Sequence, residues 1–167
     1  MDTLGPMLYP IINPTPGGLA TMAHPHGFGR LDAEMAGLRE AGIDVLVSLQ
    51  PEAEQAELGL TGEAAAAARH GLEFRHLPIP DLGVPTPDEV EPLVEALIEH
   101  LRAGRHVAIH CFAGIGRTGM AAACVLHRLG VPAPELFHRL SRARGISMPD
   151  TAAQADWVER FVERRPS

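Results

Sequence analysis

The chain has 167 residues, enough for one domain with a substantial core, and 46% hydrophobic residues, which is ordinary for a globular protein. Its formal net charge of −7 disfavours nucleic acids and anionic membrane surfaces as partners. Cys111 and Cys124 are too few for a disulfide framework and form no CxxC zinc pair. No apolar run approaches the ~18 residues that cross a membrane, and the N-terminus has no secretory signal pattern. We therefore predict one domain over residues 1–167, located in the cytoplasm.

The predicted elements begin after an extended, Pro-rich segment, residues 1–17. Short and mostly apolar stretches predict strands over residues 18–22, 43–49, 72–77 and 106–110. Helical spacing of apolar residues, or a high Ala content, predicts helices over residues 30–41, 52–58, 63–70, 87–103, 117–129, 131–142 and 151–164. This alternation predicts an α/β fold with a central, mostly parallel sheet flanked by helices. Sites in such sheets form at the carboxyl ends of strands, and the last predicted strand ends at His110.

Residues 110–119 read HCFAGIGRTG and connect that strand directly to a helix. Cys111 and Arg117 enclose a loop whose backbone N–H groups can form a nest for a tetrahedral oxyanion. The predicted phosphate-binding residues of this loop, in addition to Arg117, are Phe112, Ala113, Gly114, Ile115 and Gly116. The helix adds the positive end of its dipole, and Arg117 can bind two phosphate oxygens at once. The same field favours the thiolate of Cys111, which can attack phosphorus in line, while His110 orients the loop by hydrogen bonds.

HCFAGIGRTG resembles the HC-x5-R-[ST] signature of the protein tyrosine phosphatase superfamily. The resemblance implies that Cys111 is the nucleophile, that Arg117 binds phosphate and that Thr118 assists the departure of the sulfur. A cysteine at the end of a strand is often only a small buried hydrophobe. The histidine, the glycines, the threonine and the strand–helix frame favour the nucleophile here.

Displacement of phosphate from an alcohol or phenol oxygen requires a proton donor. The resemblance implies an Asp on a mobile loop upstream of the nucleophile, and Asp81 follows a predicted strand between prolines, with Gly83 as a hinge. Asp88 is the alternative, although it has the position of a first-turn helix residue. Gln154 resembles a glutamine that positions the hydrolytic water in related phosphatases, and an exposed helix residue is an equal alternative.

The long tyrosine-specific members carry Trp-Pro-Asp where this chain has Ile79, Pro80 and Asp81. The chain instead resembles the compact, atypical dual-specificity phosphatases and their bacterial and archaeal relatives. This implies a cysteine-phosphatase fold, with the phosphate loop between a strand and a helix. It also implies a metal-independent phosphomonoesterase, without a cofactor, that acts on phosphotyrosine and also on phosphoserine or phosphothreonine. The expected partners are phosphorylated proteins or peptides, and we expect a monomer.

Three other functions use a similar loop. A phosphatase of inositol phosphates or phosphoinositides is disfavoured by the absence of Lys from the loop and by the acidic net charge. An arsenate reductase or sulfurtransferase is disfavoured by Asp81 and Thr118. An inactive module that binds phosphorylated residues would not need the Cys, the Arg and the candidate acid together.

Several further residues are expected to have structural roles. Cys124 is expected in the core, and His24 and His26 in a loop without a metal. The last expectation is a solvated helix face formed by Glu52, Glu54 and Glu57.

Overall fold

The computed structural model describes residues 6–164, and within them five strands form one sheet. The strands are β1 (Tyr9–Ile11), β2 (Leu19–Met22), β3 (Val45–Ser48), β4 (Glu73–His76) and β5 (Val107–His110). Their order across the sheet is β1-β2-β5-β3-β4. The pairs β2–β5, β5–β3 and β3–β4 are parallel, and only β1 is antiparallel to its neighbour. The predicted mostly parallel sheet is confirmed.

The four parallel strands end at the same level. Met22 and Ser48 both pair with His110, and Ser48 also pairs with His76. The loops that follow these strands therefore leave from one edge of the sheet, where α/β proteins form their sites. The central strand β5 places the loop after His110 in the middle of that edge.

Seven α-helices lie within residues 6–164. They are α1 (Leu31–Glu40), α2 (Glu52–Glu57), α3 (Glu63–Arg69), α4 (Pro87–Arg102), α5 (Gly116–Arg128), α6 (Leu136–Arg144) and α7 (Ala152–Glu163). Helices α1 and α3 share a buried cluster with Leu46 and Ala108, whereas α4, α5 and α7 share another with Val47 and Ile109. Successive strand residues point to opposite faces, so the sheet is covered on both sides.

Local sequence signals set the beginnings of two helices near the sheet edge. Thr86 accepts a hydrogen bond from the Glu89 N–H, and the Glu89 side chain bonds back to Thr86, which is a capping box at the start of α4. Thr151 and Gln154 form the same motif at the start of α7. Both helices therefore begin where the sequence predicted, within one residue.

Two sequence-based assignments differ from the structure. Strand β1 lies inside the segment that was predicted only as extended, and residues 1–5 of that segment lie outside the described residues. Pro10 suits an edge strand, since its missing N–H is not needed by a second neighbour.

The prediction of a single helix over residues 131–142 is wrong. Prolines 132 and 134 restrict its start to a 3-10 turn, Ala133–Glu135, and α6 continues to Gly145, whose φ of 85° ends it.

Across residues 6–164 no helix combines the length and the apolar character that a membrane crossing requires.

Candidate functional site

The loop after β5 is held tightly against the neighbouring strand end. The His24 N–H donates to the Phe112 carbonyl at 3.0 Å, and the His24 ring meets the Phe112 ring edge-on at 5.2 Å. Gly114 has a φ of 77°, and a Cβ there would lie 2.3 Å from the Met22 carbonyl oxygen. Only glycine fits this position, because both its backbone conformation and the close approach exclude a side chain.

Cys111 and Arg117 come together in one cavity of about 480 Å³. The residues that line this cavity are Asp81, Leu82, Cys111, Phe112, Ala113, Arg117, Asp150 and Thr151. Cys111 and Arg117 are nearly inaccessible, with 3% and 2% of their surface exposed. The cavity therefore presents a thiol and a guanidinium at its base, as the spacing of the two residues predicted.

Arg117 is held by four acceptor atoms from three residues. Its two terminal nitrogens bind the two Glu54 carboxylate oxygens at 2.8 and 2.9 Å, the Ile79 carbonyl oxygen lies at 2.9 Å, and Asp81 Oδ1 lies at 3.2 Å. Burial opposes the charge of Arg117, but the hydrogen bonds that it donates to Glu54 and the nearby negative groups outweigh burial and raise the pKa of the guanidinium. Arg117 is thus a permanent, oriented cation.

Glu54 was expected on a solvated helix face, and this expectation is wrong. Its side chain is only 18% exposed because α2 begins right after β3 at the same sheet edge and turns this residue toward Arg117. Burial favours the neutral acid, yet the hydrogen bonds from Arg117 and Gln50 dominate and lower the pKa of the Glu54 carboxyl. Glu54 therefore stays ionised opposite Arg117.

Asp81 lies where the sequence placed it, on the loop between β4 and α4 and at the cavity. Its side chain is 64% exposed, and Arg117 is its ion-pair partner. The alternative, Asp88, binds Arg164 at 2.8 Å in the first turn of α4 and does not line the cavity. The structure thus brings Asp81, and not Asp88, to Cys111 and Arg117.

His110 and Thr118 lie behind the loop, both completely buried. His110 Nε2 lies 2.5 Å from Glu63 Oε2, and its Nδ1 lies 3.3 Å from the Cys111 carbonyl oxygen. The Thr118 hydroxyl has no hydrogen-bond partner among residues 6–164. His110 therefore ties the start of the loop to α3, and Thr118 keeps a free hydroxyl.

Gln154 packs directly on the loop. A Cβ at Gly116 would lie 2.8 Å from Gln154 Oε1 and 2.5 Å from Asp150 Oδ2. The Gln154 oxygen accepts from the N–H groups of Asp150 and Thr151, and its Nε2 donates weakly to the Gly83 carbonyl at 3.4 Å. Gln154 is fully buried, so the structure excludes the exposed helix residue that was the alternative.

Sequence reasoning missed three residues at the site, Glu54, Glu63 and Asp150. Glu54 and Glu63 carried a weak signal, since each begins or nearly begins a short helix after the sheet edge. Asp150 lies in a turn that precedes the capping box of α7, and only the packing of α7 on α5 brings it to the cavity. Cys124, by contrast, is in the core as expected, where burial raises the pKa of its thiol.

Residues 6–164 contain no cluster of three or more His, Cys, Asp and Glu side chains that is arranged to hold a metal ion. His26, one of the two loop histidines, binds Glu34 at 2.9 Å.

Comparison with known proteins places this site in context. A family described as "Polymorphic toxin system, DSP-PTPase phosphatase" (Tc-R-P) matches residues 20–131, which include Asp81, Cys111 and Arg117. Cyclin-dependent kinase inhibitor 3 of Rattus norvegicus is 30% identical over 98 residues. That match covers 58% of this chain and 46% of the rat protein, so this chain spans less than half the length of its relative.

Solved structures share the whole fold at lower identity. Kinase associated phosphatase, solved with its catalytic-site cysteine replaced by serine, superposes with a TM-score of 0.84 and 19% identity, over 97% of each chain. PTPMT1 in complex with PI(5)P gives a TM-score of 0.72 and 18% identity, over 87% of this chain and 90% of that one. These likenesses concern the fold, including the strand–loop–helix unit that carries Cys111 and Arg117.

Proposed function

This chain belongs to the compact, atypical dual-specificity phosphatases of the protein tyrosine phosphatase superfamily, and we propose that it hydrolyses phosphotyrosine, and also phosphoserine and phosphothreonine, through a phosphocysteine intermediate. The observation that supports this most directly is the convergence of Cys111, Arg117 and Asp81 on one cavity. A nucleophile, an anion binder and a proton donor are the three groups that this reaction needs.

In the first step the Cys111 thiolate attacks phosphorus opposite the ester oxygen. Asp81 enters this step as the neutral acid. The S–P bond forms, the P–O bond breaks, and the leaving oxygen takes the proton of Asp81, which becomes a carboxylate. Arg117 and the inward N–H groups of the loop bind the nonbridging oxygens, whose charge they neutralise in the transition state. A substrate phosphate competes with Asp81 for the Arg117 guanidinium, so binding releases the Asp81 side chain toward the leaving group.

In the second step a water molecule attacks phosphorus and gives its proton to Asp81. The S–P bond breaks, Cys111 leaves as a thiolate, and inorganic phosphate is released. The free hydroxyl of Thr118 can donate to the departing sulfur. The second Nε2 hydrogen of Gln154, next to Gly116, can hold the attacking water.

The lipid or inositol phosphate alternative has less support. PTPMT1 was solved with PI(5)P, but its likeness to this chain lies in the fold. The cavity of this chain is lined by one cation, Arg117, and by the exposed Asp150, so a second phosphate group would meet a carboxylate. An inactive binding module is also disfavoured, since the proposed catalytic groups are all present. The cytoplasmic location and the monomeric state stay predictions.

Loss of the nucleophile tests the proposed function. With EDTA present, Cys111→Ser should lower hydrolysis of an aryl phosphate by at least about 10⁴-fold, because the hydroxyl is a far weaker nucleophile than a thiolate. The matched control is Cys124→Ala, which removes the other thiol from the core and should keep turnover within about threefold. The measurement is the steady-state rate of hydrolysis by each purified, folded protein. No turnover by the wild-type protein would contradict the proposal.

A second test concerns the proton donor. Asp81→Asn should slow the release of phosphate from phosphotyrosine on the order of 10²-fold, and much less from a nitrophenyl ester, whose leaving group needs little protonation. Asp88→Asn, in which the carboxylate outside the cavity is removed, should leave both rates near those of the wild type. The ratio of the two substrates' kcat/KM is the measurement. An unchanged ratio in Asp81→Asn would remove Asp81 from the proposed mechanism.

A further inference from the structure

The entrance of the cavity carries an unusual combination of charge and apolar surface. Asp150 is an exposed carboxylate at this entrance, on the side of α7. Leu82 and Phe112 line the same cavity and expose 59% and 45% of their surface. Arg117 supplies the cationic charge of the lining, and Glu54 already binds it. A group next to the bound phosphate therefore meets apolar side chains and negative charge.

The position of Asp150 is well defined. Its backbone N–H donates to Gln154 Oε1 at 3.1 Å, directly before the capping box that starts α7. Its Oδ2 lies so close to the loop that a Cβ at Gly116 would be 2.5 Å away. Asp81 has Arg117 as its partner at 3.2 Å, whereas Asp150 forms no ion pair with residues 6–164. The negative charge of Asp150 is therefore held beside the phosphate loop without a partner that would neutralise it.

The apolar part of the entrance is also held in place. Leu82 has a φ of 61°, a left-handed conformation that is costly for a leucine. The turn that imposes it is closed by the Gly83 N–H, which donates to the Pro80 carbonyl at 2.8 Å. This conformation presents the Leu82 side chain to solvent next to Asp81, at the cavity that Phe112 also lines. A flat apolar group attached to the phosphate can pack against such surfaces.

We propose that Asp150 is a specificity-determining residue, and that the site prefers phosphotyrosine in peptides with a positively charged residue beside it over the same phosphotyrosine beside acidic residues. This inference rests on the proposed function and names its substrate class more closely. An unpaired carboxylate at the entrance attracts an Arg or Lys of the substrate and repels a second anion, by on the order of 10-fold in kcat/KM for one unit charge at contact range. The aryl ring of the substrate lies against Leu82 and Phe112.

The experiment compares two phosphotyrosine peptides that differ only in having Arg or Glu on both sides of the phosphotyrosine. The wild-type protein should hydrolyse the Arg peptide with the higher kcat/KM, by on the order of 10-fold at low salt, and added NaCl should reduce the preference. Asp150→Asn should reduce this ratio several-fold, and Asp150→Arg should reduce it further. The ratio is internal to each preparation, so a partly folded variant still gives a valid result.

The matched control is Asp156→Asn, which removes an exposed carboxylate of α7 that does not line the cavity. It should keep the wild-type ratio. If Asp150→Asn has the wild-type ratio, or if the wild-type protein hydrolyses both peptides equally, the inference is wrong while the proposed function stands. If the wild-type protein hydrolyses neither peptide nor a small aryl phosphate, the proposed function is wrong, and this inference with it.

Discussion

Helix α5 carries two arginines that are bound in the same way and yet belong to different parts of the molecule. Glu54 binds Arg117 near the N-terminal end at 2.8 and 2.9 Å, and Glu91 binds Arg128 at the C-terminal end at 2.6 and 2.7 Å. Arg128 also lies over the Phe161 ring, 4.7 Å from its centroid. Only Arg117 shares a cavity with Cys111.

The helix dipole of α5 has opposite effects on the two arginines. The C-terminal end of a helix is partly negative, so it stabilises Arg128, whereas the N-terminal end is partly positive and opposes Arg117. Arg117 is also the more buried of the two, with 2% of its side chain exposed against 13% for Arg128. A buried cation at the positive end of a helix needs anionic partners, and Glu54 is one of them. Arg128 thus joins α5 to α4 and α7, whereas Arg117 is a buried cation that its anionic neighbours hold at the cavity.

The largest effect should come from changing the geometry of the cation. Arg117→Lys keeps the charge, but an ammonium group cannot form paired hydrogen bonds with a carboxylate and with a phosphate at the same time, as a planar guanidinium can. The kcat/KM for an aryl phosphate should therefore fall on the order of 10²–10³-fold. Arg128→Lys should change kcat/KM by less than about threefold, since this residue is remote from the cavity. Parallel kinetics on the two variants test the comparison directly. Equal losses in both would show that the two ends of α5 are not distinct.

An intermediate effect should follow from loosening Arg117. Glu54→Gln removes the charge that orients the guanidinium, and the loss of charge-assisted hydrogen bonds should lower kcat/KM by roughly 10–100-fold. Glu57→Gln is the control, because Glu57 is an exposed carboxylate on the same helix. Saturation kinetics with an aryl phosphate would show the loss. Full activity in Glu54→Gln would mean that the Ile79 carbonyl and Asp81 are enough to position Arg117.

The smallest effect should be one on stability alone. The hydrogen bonds from Arg128 lower the pKa of the Glu91 carboxyl below the ordinary value of 4.5, although partial burial opposes this. Glu91→Gln should therefore lower the free energy of unfolding by about 1 kcal/mol at neutral pH, with kcat/KM unchanged.

The sign of the pH dependence follows from that lowered pKa. The contribution of Glu91 is complete above pH 4.5 and is lost as the pH falls through the lower value in the folded protein. Urea unfolding of both proteins over this range should show the difference between them shrinking toward acid. A constant difference, or one that grows toward acid, would contradict the ion pair as its source.

Much of this architecture could be predicted from local sequence. The strands and most helices follow from short apolar stretches and from helical spacing, and the Thr86 and Thr151 caps set two helix starts. The 3-10 turn before α6 was missed because the spacing of the apolar residues favoured one continuous helix, and the effect of two prolines on its start was overlooked. Strand β1 was missed because three residues around Pro10 carry no period that predicts a strand.

The candidate site likewise has one part that local sequence predicts and another part that it does not. The sequence by itself determined the loop between β5 and α5, since Cys111 and Arg117 are near neighbours whose glycines, strand and helix are all local features. Only the tertiary structure decided that Glu54, Glu63 and Asp150 join them, across separations of 57, 48 and 39 residues from Cys111. Carboxylates at such distances look like ordinary surface charges in a sequence. Their positions depend on the parallel register of β3 and β5 and on the packing of α7 against α5, and neither is encoded in a short segment.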